Sequence, residues 1–132
     1  MLDLTTKRIC VTGGAGFLGT YVCKAFRALR VQPDRLFVPR REDYDLTFQH
    51  NVERLYDDAK PDVVIHLAAE VGGIGANMRH PGRFFFANMS MGMHMIEQAR
   101  IRKITKFVQT GTSCAYPKFA PVPFREEKRW NG

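Results

Sequence analysis

The chain has little that would tie it to an oxidising compartment, a membrane or a metal. Only three cysteines (Cys10, Cys23 and Cys114) occur in 132 residues. They are odd in number, widely spaced and form no C-x-x-C pair, which argues against a disulfide framework or a zinc site and fits a reducing, cytoplasmic setting. The four histidines make no metal pair. His94 and Glu97 lie one helical turn apart, a spacing that an exposed helix explains, so no metal is expected. Long apolar runs are also missing: the longest, Val63 to Ala69, is interrupted by His66 and followed by Glu70, well short of the roughly 20 residues a span requires. The first ten residues have no basic stretch leading into an apolar core, so neither secretion nor a membrane partner is expected. No known nucleic-acid signature accompanies the basic residues, and no nucleic-acid partner is expected.

What is present describes one ordinary globular unit. A chain of 132 residues with 45% apolar and 25% charged residues is about one domain, able to bury roughly two thirds of its unfolded surface. The net charge of +7 suits an anionic ligand such as a phosphorylated cofactor. Its basic residues are scattered, however, and a piece of a larger, better balanced protein would give the same count.

Strand and helix periods alternate along the chain, the pattern of a parallel sheet with crossover helices. Strands are predicted at Arg8 to Thr12, Arg35 to Val38, Val63 to Leu67 and Lys106 to Thr110. The first helix presents Phe17, Leu18, Tyr21, Val22, Ala25, Phe26 and Leu29 as its apolar face. A second lies within Thr47 to Ala59, with Thr47 as a possible N-cap and Pro61 ending it. After a glycine-rich loop at Gly72-Gly73-Ile74-Gly75, a long helix runs from about Arg83 to Ile101. It is apolar over most of its circumference, which predicts core on one face and a subunit or further-domain contact on the other. Right-handed crossovers then give a Rossmann-type doubly wound α/β sheet, strand order 3-2-1-4, representing the N-terminal part of such a domain.

The most informative stretch is Val11-Thr12-Gly13-Gly14-Ala15-Gly16-Phe17-Leu18-Gly19, where the first strand gives way to the first helix. Gly13 permits the tight turn, Gly16 admits the backbone close to a pyrophosphate and Gly19 allows the helix to pack on the strand. The free N–H groups of the helix start face an anion. The spacing is G-x-x-G-x-x-G rather than G-x-G-x-x-G, so the motif needs support from elsewhere. An acidic residue at the end of the second strand would favour NAD, whereas an arginine accommodates a 2′-phosphate. Here Pro39-Arg40-Arg41 follows that strand, favouring NADP, with NAD as the alternative. A solvated turn whose charges offset Glu42 and Asp43 is the plain explanation of the same residues.

Together with the glycine loop, Asp62-Val63-Val64-Ile65-His66-Leu67-Ala68-Ala69 and Gly111-Thr112-Ser113-Cys114-Ala115-Tyr116-Pro117-Lys118 make the chain resemble the extended short-chain dehydrogenase/reductases, the NAD-dependent epimerase/dehydratase family. Val71-Gly72-Gly73-Ile74-Gly75-Ala76-Asn77 and Ser113 to Lys118 are similar to the GDP-L-fucose synthases within it. The resemblance implies NADP-dependent epimerisation and reduction of a sugar nucleotide, a GDP-4-keto sugar, by a homodimer. It places Gly13, Gly16, Phe17, Leu18 and Gly19 at the pyrophosphate, Asp45 and Leu46 by the adenine, Leu67, Ala68 and Ala69 along the groove, and Asn88 near the cofactor. Thr112 falls at the family's catalytic hydroxyl, beside Ser113, and Cys114 at an epimerisation acid/base; a small buried thiol is the plain alternative for Cys114.

One departure matters. The family's proton donor is a Tyr-x-x-x-Lys pair after the fourth strand, and the only such spacing here, Tyr56 to Lys60, belongs to the second helix, on the wrong crossover. The expectation is therefore the cofactor half of a longer enzyme, inactive alone, with an open edge on the fourth strand that favours self-association. A non-catalytic dinucleotide-binding module is the alternative.

Overall fold

In the computed structural model, which describes residues 2–112 and 115–130, four parallel strands form one sheet with helices on both faces. In chain order the elements are β1 (Ile9–Thr12), α1 (Phe17–Ala28), β2 (Leu36–Phe37), α2 (Gln49–Ala59), β3 (Val63–His66), α3 (Ile74–Arg79), α4 (Pro81–Ile101) and β4 (Lys106–Gln109). Single turns of 3-10 helix occur at Leu4–Thr6, Pro33–Arg35 and Glu126–Lys128.

The doubly wound parallel class is as predicted, but the strand order is β2-β1-β3-β4 rather than 3-2-1-4. β3 pairs with β1 along its length, Ile9 opposite Val63 through Thr12 opposite His66, and β4 pairs with β3, not with β1. Burial explains the correction. Val63 and Val64, like Ile9, Cys10 and Val11, are covered on both faces, and such strands belong in the interior of a parallel sheet. β2 has two half-buried residues, shorter than the expected Arg35 to Val38, and takes the edge.

Alternation along β1 and β3 sorts the core into two layers. Ile9, Val11 and Val63 meet Cys23 and Phe26 of α1 on one face. Cys10 and Val64 meet Val52, Leu55 and Tyr56 of α2 and Ala87, Met91, Met95 and Ala99 of α4 on the other. The face of α1 is rotated from the expectation: Gly19, Cys23 and Phe26 are buried, whereas Phe17, Leu18, Tyr21 and Leu29 are exposed. Small residues at Gly19 and Cys23 let the helix lie close to β1, and Phe26 one turn further on fills the core beside them. α4 buries Ala87, Ser90, Met91, Met95, Gln98 and Ala99 and exposes Phe85, Phe86, Met89, Met93 and Ile96, so it is apolar beyond its core face.

Three local readings also change. Thr47 does not cap α2; Phe48 holds the N-cap position, and the Thr47 backbone N–H and hydroxyl both donate to Asp45 Oδ1. Part of the glycine-rich segment forms α3. α4 begins at Pro81, where the fixed φ of proline suits a first helical turn.

Candidate functional site

Strand order creates the site. From β1 the chain turns to α1 on one face, and from neighbouring β3 it turns toward α4 on the other, so the two loops part and leave a crevice beyond the carboxyl ends of the strands. A cavity of about 600 Å³ opens there, large enough for a cofactor.

The loop after β1 forms its floor. Gly14 N–H donates to Val11 O at 3.2 Å and Gly16 N–H to Gly13 O at 2.9 Å, closing two successive tight turns. Gly13 has φ +69°, and a Cβ there would lie 2.8 Å from Ala68 N. A Cβ on Gly19 would come within 2.2 Å of Gly13 O, so the first turn of α1 rests directly on the loop. Gly16 is the N-cap and offers no side-chain acceptor, and the first turn has no acidic residue. The leading N–H groups of α1 thus lack intrahelical acceptors, a ready site for an anion.

A buried pair fastens this loop to the one after β3. Thr12 Oγ1 lies 2.6 Å from His66 Nδ1 and accepts from Ala68 N–H at 3.3 Å, while Leu67 N–H donates to Thr12 O at 3.1 Å. The Thr12 hydroxyl thus bonds both the His66 ring and the Ala68 backbone, using its one proton and two lone pairs to tie the two loops together. Burial supports the neutral form, pushing the His66 pKa down to about 4.

The far wall comes from the stretch after β2. Asp43 and Tyr44 N–H groups both donate to Arg40 O, turning Arg40 and Arg41 over the cavity. Both guanidinium groups are exposed: Arg40 Nε is 4.0 Å from Glu42, and Arg41 Nη2 is 3.9 Å from Glu70. Asp45 is held by Thr47, whose hydrogen bonds keep its carboxyl below the usual range. Leu46 beside it is buried.

Of the residues singled out in sequence, Gly13, Gly16, Phe17, Leu18 and Gly19 line the cavity on one side, Arg40, Arg41, Asp45 and Leu46 on another, and Leu67, Ala68 and Ala69 on a third. Asn88 does not line it. Its side chain instead brackets Glu70, accepting from Glu70 N–H at 2.9 Å and donating to Glu70 O at 2.9 Å. Thr112 is exposed and lies outside the cavity lining; Ser113 and Cys114 lie outside the described residues. Tyr44, Glu70 and Met91 line the cavity without having been anticipated. Glu70 had a signal, since it is the first charge after the apolar strand; Met91 had none, being one methionine among several on α4.

Tyr56 and Lys60 do not form a proton-donating pair. Tyr56 is buried under α4 with its hydroxyl donating to Met95 O at 2.8 Å, and Lys60 is the left-handed C-cap of α2. Among the described residues no helix is long and apolar enough to cross a membrane.

The model of the NAD dependent epimerase/dehydratase family matches residues 9–131. A GDP-L-fucose synthase of Sinorhizobium fredii is 38% identical over 132 residues, covering 100% of this chain and 41% of the relative. A putative GDP-L-fucose synthase 2 of Arabidopsis thaliana is 36% identical over 133 residues, 100% of this chain and 39% of the relative. Among solved structures, a GDP-L-fucose synthetase from Naegleria fowleri bound to NADP superposes with a TM-score of 0.79 at 25% identity, covering 94% of this chain and 36% of that one. The chain therefore spans about two fifths of the length of the curated relatives it matches.

Proposed function

The chain belongs to the NAD dependent epimerase/dehydratase family, and from that premise we propose that its groove binds NADP as the cofactor site of a GDP-sugar epimerase/reductase of the GDP-L-fucose synthase type. One observation carries the reading: the sterically closed Gly13–Gly19 turn lies at the crevice between β1 and β3, with Arg40 and Arg41 across the same cavity. The glycine cradle fits a pyrophosphate because any side chain at Gly13 or Gly19 would meet backbone. The leading N–H groups of α1 take the pyrophosphate, Leu46 and Asp45 flank the adenine, and Arg40 and Arg41 take the 2′-phosphate.

When bound, this cofactor supplies the hydride for reduction of a carbonyl. The residues of the chain hold and orient it: Thr12 and His66 fix the Leu67–Ala69 wall, and Gly19 fixes the start of α1. On the same reading Thr112 and Ser113 contribute hydroxyls near the sugar, and Cys114 exchanges protons during epimerisation. A hydride step on a ketone also needs a positioned proton source, and the one Tyr-x-x-x-Lys spacing is occupied in the core. The 132-residue chain by itself therefore binds NADP without turning over a keto sugar.

Fluorescence titration of the chain with NADPH and NADH tests the proposal. NADPH binding at least tenfold tighter than NADH, lost in Gly16→Val while the circular dichroism spectrum is retained, is the expected result. Equal affinity for the two nucleotides removes the case for the arginines, and unchanged affinity in folded Gly16→Val removes the case for the loop.

A further inference from the structure

Glu70 is a placed carboxylate at the mouth of the groove. Asn88 brackets its backbone from both sides, and its side chain is only 18% exposed. Arg83 engages both of its oxygens, Nε donating to Oε1 at 2.5 Å and Nη2 to Oε2 at 3.3 Å. Arg41 Nη2 then approaches the same Oε2 to 3.9 Å. Arg41 comes from the stretch after β2 and Glu70 from the stretch after β3, and both line the cavity, so their contact bridges two of its walls.

We propose that Glu70 limits the preference for NADP by competing for Arg41, a competition met only by a ligand that brings a phosphate to that end of the groove. The inference rests on the reading of the groove as an NADP site. At 3.9 Å the Arg41 contact is an ion pair without a hydrogen bond, and Arg41 is 70% exposed, so the hold is weak. A 2′-phosphate carries nearly two charges and can accept two parallel N–H bonds from a guanidinium, so it wins the arginine. A 2′-hydroxyl brings no charge and leaves Arg41 with Glu70. The exchange strands nothing, because Arg83 keeps both Glu70 oxygens when Arg41 departs. The hydrogen bond from Arg83 also holds the Glu70 carboxyl below the usual range, keeping it charged near neutral pH.

The test compares NADPH, NADH, 2′,5′-ADP and 5′-AMP binding to the wild-type chain and three variants, by titration calorimetry. Glu70→Gln keeps the shape but removes the competing charge. It is expected to tighten NADPH and 2′,5′-ADP about three- to fivefold and to change NADH and 5′-AMP less than about twofold. Arg83→Met, which frees Glu70 to hold Arg41 more closely, weakens NADPH about twofold or more. In an Arg41→Ala background, Glu70→Gln has no further effect on NADPH. Equal tightening of all four ligands in Glu70→Gln would mean only a general relief of negative charge and would overturn the proposal, as would unchanged or weaker NADPH binding. If the wild type binds none of the four, the reading of the groove fails first and this inference with it. If the wild type prefers NADPH but Glu70→Gln leaves that preference unaltered, the groove reading stands and the role of Glu70 falls.

Discussion

β1 and β4 are both four-residue parallel strands of one sheet, yet they differ in everything that packing controls. All four residues of β1 are fully buried, whereas in β4 only Phe107 is half-buried and Lys106, Val108 and Gln109 are exposed. β1 lies between β2 and β3 under helices on both faces; β4 pairs with β3 on one edge and, among the described residues, with nothing on the other. The segments that follow differ in the same way. The turn after β1 is so close that a Cβ at Gly19 meets backbone at 2.2 Å, while a Cβ at Gly111 after β4 meets nothing within 4 Å. The Gly13–Gly19 end of the groove is thus generated by the core itself, whereas the stretch after β4 meets the core through Thr110, whose N–H and hydroxyl both donate to His66 O at 3.4 Å.

Identical substitutions in the two regions should therefore part company. Gly19→Ala forces backbone apart and is expected to lose on the order of 3 kcal/mol or fail to fold, while Gly111→Ala leaves stability unchanged within about 0.5 kcal/mol; paired urea denaturation curves decide. The next effect in size belongs to His66. Its folded pKa of about 4 lies below the unfolded value of 6.5, so the unfolded chain binds the extra proton and stability rises with pH between them. The contribution is fully present above pH 6.5 and lost as pH falls toward 4, amounting to roughly 3 kcal/mol. Denaturation midpoints at pH 7 and pH 4.5 should show that loss, and a flat profile would break the Thr12–His66 account.

Smaller differences sharpen the contrast. Val11→Thr buries a hydroxyl in a covered strand and should cost about 1–3 kcal/mol, whereas Val108→Thr on the exposed strand changes stability by less than about 0.5 kcal/mol. Replacing Arg40 and Arg41 together by alanine removes charge-assisted phosphate contacts worth roughly 1.5–3 kcal/mol each. The preference for NADPH over NADH should fall at least tenfold with no change in melting temperature.

The contrast also marks how far the residues alone could be read. The glycine turn was legible because its spacing and position between an apolar strand and a helix are local features, and twelve of the residues it and its companions suggested line one cavity. Strand order was not legible. Whether β3 lies beside β1 or beyond β2 depends on pairing between residues some 54 positions apart, such as Ile9 and Val63, and periodicity carries no information on it. The buried face of α1 was misjudged because Gly19 and Cys23, small residues that scarcely register as apolar, are what pack on β1. Asn88 and Glu70 were visible as polar residues, but their mutual bracket joins the stretch after β3 to α4 across 18 positions and emerges only from the folded chain.

The most direct measurement is the amide chemical-shift response of isotopically labelled protein to NADPH. The account predicts the largest shifts at Gly13, Gly16, Phe17 and Leu18, with further shifts at Arg41, Leu46 and Ala68, and little change along β4. Shifts concentrated at β4 and Gly111, with the Gly13–Gly19 turn silent, would contradict it.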